Sequence, residues 1–178
     1  MSTRDLVHIA LFAALTAALG LFPPLNLPAL NVPITAQSLG IMLAGAILGA
    51  RKGFLSIALF VALVAVGLPL LSGGRGGLGV IQGPSGGFIL GYPVAAFVVG
   101  WLFQRHTGPL PILTAILYAL LGGVVVLYLL GVPWLAMVGK LPLMKALIGS
   151  AAYLPGDMLK AVATAFIARA VRRAYPTL

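Results

Sequence analysis

The sequence holds no cysteine in its 178 residues. Disulfides, thiolate metal sites and a cysteine nucleophile are therefore excluded. Acids are nearly absent: Asp5 and Asp157 are the only two, beside two histidines, His8 and His106. Paired-carboxylate catalysis and a histidine–carboxylate metal cluster have almost no raw material. Charge of any kind is scarce, at 7% of residues, against roughly 25% in an average soluble domain. What is present is apolar. Hydrophobic residues make up 61% of the chain, and the mean hydropathy is +1.15. Such a composition points to the bilayer as solvent. The net charge of +9 comes from 11 basic and 2 acidic residues. The basic residues stand singly or in pairs between long apolar runs, a pattern of membrane topology marking, so nucleic acid is not expected as a partner.

A membrane span needs about 20 mostly apolar residues. Six candidates are legible, at Leu6–Phe22, Thr35–Ala50, Lys52–Leu71, Gly87–Phe103, Leu110–Leu130 and Ala152–Arg172. The first has a basic flank in Arg4 but lacks a clear small-residue cleavage site, so it is expected to be a retained span rather than a cleaved signal. With the N-terminus in the cytoplasm, the inner side carries Arg4, Arg51, Lys52, Arg105, Arg169, Arg172 and Arg173, against Arg75, Lys140 and Lys145 outside. This asymmetry follows the positive-inside rule and predicts both termini inside. The expected fold is one all-α membrane domain over residues 1–178. The inner connections are short. The outer ones are long: Pro23–Ile34 with four prolines, the glycine-rich Ser72–Gly86, and Gly131–Ala151, read as a loop with room for a short interfacial helix. Elaborate outer loops suggest capture of something from outside. No internal repeat is visible, which argues against an inverted-repeat transporter.

The strongest local signal is Tyr153-Leu154-Pro155-Gly156-Asp157-Met158-Leu159-Lys160. Pro155 and Gly156 suit a helix start, and Asp157 suits its first turn. Asp157 and Lys160 are three apart and share a helix face. An acid or lysine deep in a bilayer costs about 2.5–3.5 kcal/mol on insertion scales, so the pair should face the bundle interior. It reads as a polar ligand site, or as a mutual salt bridge with a capping role, or both. Near the same outer level lie Thr35, Gln37 and Ser38. Thr35 and Ser38 suit a helix cap, whereas the Gln37 amide needs a polar partner. The run Ser72–Gly79 offers Gly74, where backbone can approach a ligand closely, and Arg75, which suits a carboxylate. Tyr92 and Tyr153 stand one turn from this level and suit either the site or an interfacial belt. Ala10, Ala14 and Ala18 repeat every four residues on the first span, a face for close helix packing within the bundle or against another membrane subunit.

Two motif matches are rejected. Gly74–Gly79 fits G-x-G-x-x-G without a βαβ context or a following acid. Gly83-Pro84-Ser85-Gly86-Gly87 fits G-x-S-x-G, and its start fits the G-x-S-G of rhomboid proteases. The topology places Ser85 outside and both histidines at inner ends, about 30 Å away across the hydrocarbon core, so no base reaches the serine. There is no P-loop signature, so the chain itself does not hydrolyse ATP through one.

Taken in order, Val32-Pro33-Ile34-Thr35-Ala36-Gln37-Ser38-Leu39-Gly40, Met42-Leu43-Ala44-Gly45, Gly67-Leu68-Pro69, the Ser72–Gly79 run, Gly83–Gly87 and Pro155-Gly156-Asp157-Met158-Leu159-Lys160 resemble the BioY family, the biotin-specific substrate-binding (S) components of energy-coupling factor (ECF) transporters. The resemblance spans Thr16 to about Arg169, with 104–150 matching only in hydrophobic character. It implies a six-helix bundle in the cell membrane that takes biotin near its outer face, with Asp157 and Lys160 contacting the ligand. It implies docking of the first helix, through Ala10, Ala14 and Ala18, on a transmembrane coupling (T) subunit, and energy from two ATPase subunits. The chain itself needs no cofactor, and ATP is used only by those partners. Biotin's chemistry suits these residues: Asp157 can accept from a ureido N–H, Lys160 can donate to the ureido carbonyl, and Gln37 can do either. Arg75, Lys140 and Lys145 are alternatives for the valerate carboxylate. Competing readings are an S component for another vitamin, an intramembrane serine protease, and a ligand-free structural protein in which Asp157 and Lys160 merely pair.

Overall fold

The computed structural model describes residues 1–27 and 32–175. Helix α1 (Thr3–Ala18) opens with a capping box. The Ser2 hydroxyl accepts from the Asp5 N–H, and the Asp5 carboxylate accepts from the Ser2 N–H. A 3₁₀ turn extends the helix to Leu21. The prolines that follow block helix, and the backbone turns extended instead. Strands β1 (Leu25–Leu27) and β2 (Val32–Ile34) pair antiparallel with Leu25 opposite Ile34. This hairpin is a departure from a purely α-helical expectation. The part of the Pro23–Ile34 loop at residues 28–31 lies outside the described residues.

Helix α2 (Gln37–Leu48) is the axis of the molecule. It packs against α1, α3 (Ala50–Ala65), α5 (Gly86–Arg105) and α9 (Leu154–Ala174), and ten of its residues are buried. Small residues permit this crowding. A Cβ at Gly45 would collide with the backbone and side chains of α5 at Ala96 and Val99, and one at Gly100 with the Gly49–Ala50 backbone. Phe60, Phe103, Ile41, Met42 and Ile57 fill the interior with almost no exposure.

The remaining elements are the short α4 (Leu78–Gln82), α6 (Ile112–Leu120), α7 (Leu127–Val138) and α8 (Leu143–Ser150). A π-helical turn over Leu121–Val126 joins α6 to α7 without a break. Here the structure corrects the sequence reading. The helix expected to stop at Leu130 runs on through Pro133 to Val138, so the long loop expected at 131–151 is a four-residue link and the helix α8. Proline removes one helical N–H, but residues 127–138 are nearly all apolar, and in lipid an unwound backbone would strand more polar groups than Pro133 does. The helix expected to reach Leu71 ends at Ala65.

A helix lies on each of the six apolar segments. Three helical stretches among the described residues are long and apolar enough to cross a membrane: Thr3–Leu21, Gly86–Arg105 and Ile112–Val138. Large exposed apolar side chains such as Leu113, Leu117, Leu129, Met137 and Phe166 cover the outside, as a chain solvated by lipid requires.

Candidate ligand-binding site

The N-terminal turns of α2, α5 and α9 meet the C-terminal half of the α6–α7 helix and the 66–77 loop around one cleft. It holds about 610 Å³ between atoms, its open mouth included. Asp157 and Lys160, one turn apart on α9, pair on its wall at 3.0 Å, both largely buried. The Lys160 ammonium donates to Asp157 Oδ1, to the Ser38 hydroxyl at 2.8 Å and to the Thr35 carbonyl at 2.6 Å. Its three protons are all engaged. Asp157 Oδ1 also accepts from the Ser38 hydroxyl at 3.2 Å, and Oδ2 accepts from the Tyr128 hydroxyl at 2.9 Å. A lysine and an acid are thus held in an apolar bundle by three partners, Tyr128 from α7 and Thr35 and Ser38 at the start of α2. Phe88, Ile89, Leu71 and Leu127 supply apolar wall, with Tyr92 and Tyr153 beside them. Phe88 also meets Tyr128 edge-on, 6.0 Å between ring centres.

The opposite wall is the glycine-rich loop. Leu71 and Arg75 exchange backbone hydrogen bonds, closing a tight turn whose Gly73 and Gly74 have φ of +79° and +68°. Such angles favour glycine. The turn presents the Arg75 guanidinium to the cleft, with its Nε donating to the Ser72 carbonyl at 3.1 Å. Arginine's outer nitrogens can then grip a carboxylate. Gln37 braces this loop. Its amide N–H groups donate to the Leu70 carbonyl at 2.9 Å and the Thr16 carbonyl at 3.1 Å, and its oxygen accepts from the Ser72 N–H at 3.1 Å. Gly83–Gly87 is clamped from the other side: the Trp134 indole donates to the Gly83 carbonyl at 3.0 Å, and Gly87 packs on Trp134.

Comparison with known proteins now decides the family. The chain matches the BioY family over residues 1–177. It is 50% identical to the biotin transporter BioY of Rhizobium etli, covering 100% of this chain and 98% of that one. It is 45% identical to the probable biotin transporter BioY of Bacillus subtilis, covering 96% and 91%. The crystal structure at 2.1 Å of the S-component for biotin from an ECF-type ABC transporter superposes with a TM-score of 0.90 at 32% identity, over 97% and 95% of the two chains. The chain belongs to the BioY family. It is a membrane protein of a transporter family and not an enzyme.

Within this BioY-family fold, the sequence-derived candidates Asp157, Lys160, Gln37, Arg75, Thr35, Tyr92 and Tyr153 all line one cleft. Two of the expected contributions change. Gly74 is absent from the lining, because it serves the turn that aims Arg75. Gln37 has both donors and one acceptor position committed to backbone, so it shapes the wall rather than offering a free amide. Lys140 and Lys145 do not line the cleft, which leaves Arg75 as the cation on it apart from Lys160. Tyr128 and Phe88 went unnoticed in the sequence, and Ser38 was read as a helix cap. A phenol at Tyr128, in the expected last turn of a largely apolar span, was the available signal, because such a hydroxyl needs a partner. Ser85 also lines the cleft, whereas His106 lines a separate cavity with the C-terminal turns of α9. The serine-protease reading therefore loses that base. Ala10, Ala14 and Ala18 are exposed along one side of α1, while Ala13 is buried.

Proposed function

We propose that this chain is the biotin-capturing S component of an ECF-type transporter, and that the Asp157–Lys160 network reads the ureido ring. The observation that carries the reading is a buried, fully hydrogen-bonded charge pair that opens onto a cleft with one arginine on its far wall. The network is a set of exchangeable bonds. A ureido N–H can take the place of the Ser38 or Tyr128 hydroxyl on Asp157. A ureido oxygen can take one proton of Lys160. Each exchange keeps a buried charge satisfied, which is the condition for binding in so apolar a place. The thiophane and chain lie against Phe88, Ile89 and Leu127, and Arg75 meets the valerate carboxylate.

The transport reading extends this. Six helices span the cell membrane with both termini inside, which puts the cleft near the outer face. The exposed Ala10, Ala14 and Ala18 face of α1 docks on a T subunit, because small side chains let two helices approach closely. Two ATPase subunits supply energy, and capture itself needs no cofactor. The Gly73–Gly77 loop closes over the ligand.

The test is equilibrium binding of labelled biotin to the purified chain in detergent. The parent is expected to bind without ATP, and Asp157→Asn to bind more weakly by about 1–3 kcal/mol, because a buried charged hydrogen bond is lost. Biotin analogues without an intact ureido ring should fail to compete. A folded parent that binds another vitamin instead, or an Asp157→Asn variant with parental affinity, overturns the assignment.

A further inference from the structure

A second cavity lies at the other end of the same helices. Asp157 and Arg172 are both on α9, and fifteen residues of helix separate their levels by about 22 Å. Arg169, Arg172 and Arg173 line it, with His106, Gln104 and Tyr175. The cavity is a built feature. Arg172 donates to the Phe103 carbonyl at 2.7 Å, fixing α9 on the end of α5. Gln104 accepts from the Ala50 N–H at 3.0 Å, fixing α5 on the start of α3. No acid lines it: the chain's two acids are Asp5, paired with Lys52, and Asp157, paired with Lys160. Three arginines therefore line a concave surface that, among the described residues, carries no carboxylate.

We infer that this cleft holds the phosphate of an anionic phospholipid, with the arginines as its ligands. Guanidinium forks match phosphate oxygens and keep their charge at any physiological pH. Arg172 spends one donor on Phe103 and retains others. The lipid origin of the phosphate follows from the helix face. Leu159, Phe166 and Arg173 are seven apart, so they line up along α9. Leu159 is 72% exposed and Phe166 60%. An acyl chain laid along that apolar line ends with its headgroup beside Arg173 and the cleft. Basic pockets between membrane helices are suited to such headgroups.

The experiment uses the full chain, purified and stripped of lipid in neutral detergent. Thermal unfolding and native mass spectrometry are followed while phosphatidylglycerol, phosphatidylcholine of the same acyl chains, or glycerol phosphate is added. Phosphatidylglycerol should raise the unfolding temperature and remain bound, and the other two should do neither. Arg169→Gln and Arg173→Gln should each weaken that binding about fivefold and about thirtyfold together. Lys140→Gln with Lys145→Gln, which removes the same charge outside the cleft, should leave it unchanged. Labelled-biotin binding serves as the check that each variant is folded, and the circular dichroism spectrum serves the same end if biotin is not the ligand. Equal stabilisation by phosphatidylcholine, equal loss in the lysine pair, or full saturation by glycerol phosphate would each overturn the lipid site.

Discussion

The chain has two acids, each meets a lysine, and the two pairs are built differently. Lys52 and Asp5 lie 3.2 Å apart with side chains 29% and 27% exposed. Lys160 and Asp157 lie 3.0 Å apart at 15% and 8%. The distances barely differ. The company does. Asp5 adds only the Ser2 capping box at the start of its own helix. Asp157 and Lys160 draw in the Ser38 hydroxyl, the Thr35 carbonyl and the Tyr128 hydroxyl from elements far away in sequence. Where water can reach, a salt bridge can be incomplete, because water fills the open valences. Inside an apolar bundle every valence must be met by protein or ligand. A complete network is therefore also a ligand-ready one, since its bonds can be exchanged for equivalent ones without exposing bare charge.

The sharpest way to break this contrast is Lys160→Met. It strands the Asp157 carboxylate with only hydroxyl partners, and breaking a buried pair from one side costs about 3–5 kcal/mol. Unfolding in detergent should show that loss, and biotin binding should vanish with it. Asp157→Asn combined with Lys160→Met should be less destabilised than the sum of the single changes, because no lone charge remains. Additive costs would mean that the two side chains are independent. Next in size is Tyr128→Phe. It removes one hydrogen bond to a charged oxygen, worth about 1.5–3 kcal/mol, and keeps the ring that packs on Phe88. An unchanged unfolding midpoint would show that Tyr128 is not part of the network.

Much of this was legible in the sequence, and the limits have a common cause. The Pro155-Gly156-Asp157 start of α9 and the three-residue spacing to Lys160 are local facts, and the structure keeps them. The need of Gln37 for partners was also legible, since a buried amide without them is costly. Which partners it takes was not. They are backbone groups at Thr16, Leu70 and Ser72, up to 35 residues distant, and they exist only once α1, α2 and the glycine loop are packed. That Arg75, and not Lys140 or Lys145, lines the cleft was hidden for the same reason: its turn is local, but the cleft it faces is tertiary. The run past Leu130 was missed because Gly131 and Pro133 are stop signals in water, whereas in lipid a continuous backbone ladder outweighs them. The small two-stranded hairpin escaped because its strands are three residues each.

The smallest expected effect tests the contrast from its weak side. Asp5→Asn removes the ion pair with Lys52 but keeps a side-chain oxygen near the Ser2 N–H, so the helix start is largely retained. Exposed pairs of this kind contribute little, because ordering two side chains offsets much of the attraction. The unfolding midpoint should stay within measurement error of the parent, and biotin affinity should be the same. Salt gives a second handle. Ions screen exposed charges over about 8–10 Å, so whatever difference exists between Asp5→Asn and the parent should shrink between low and high salt. The Lys160→Met deficit should persist in both, since the network around Asp157 is largely buried and buried pairs are screened much less. A large, salt-independent loss in Asp5→Asn would mean that the N-terminal pair is structural in the same sense as the buried one, and that exposure does not separate the two.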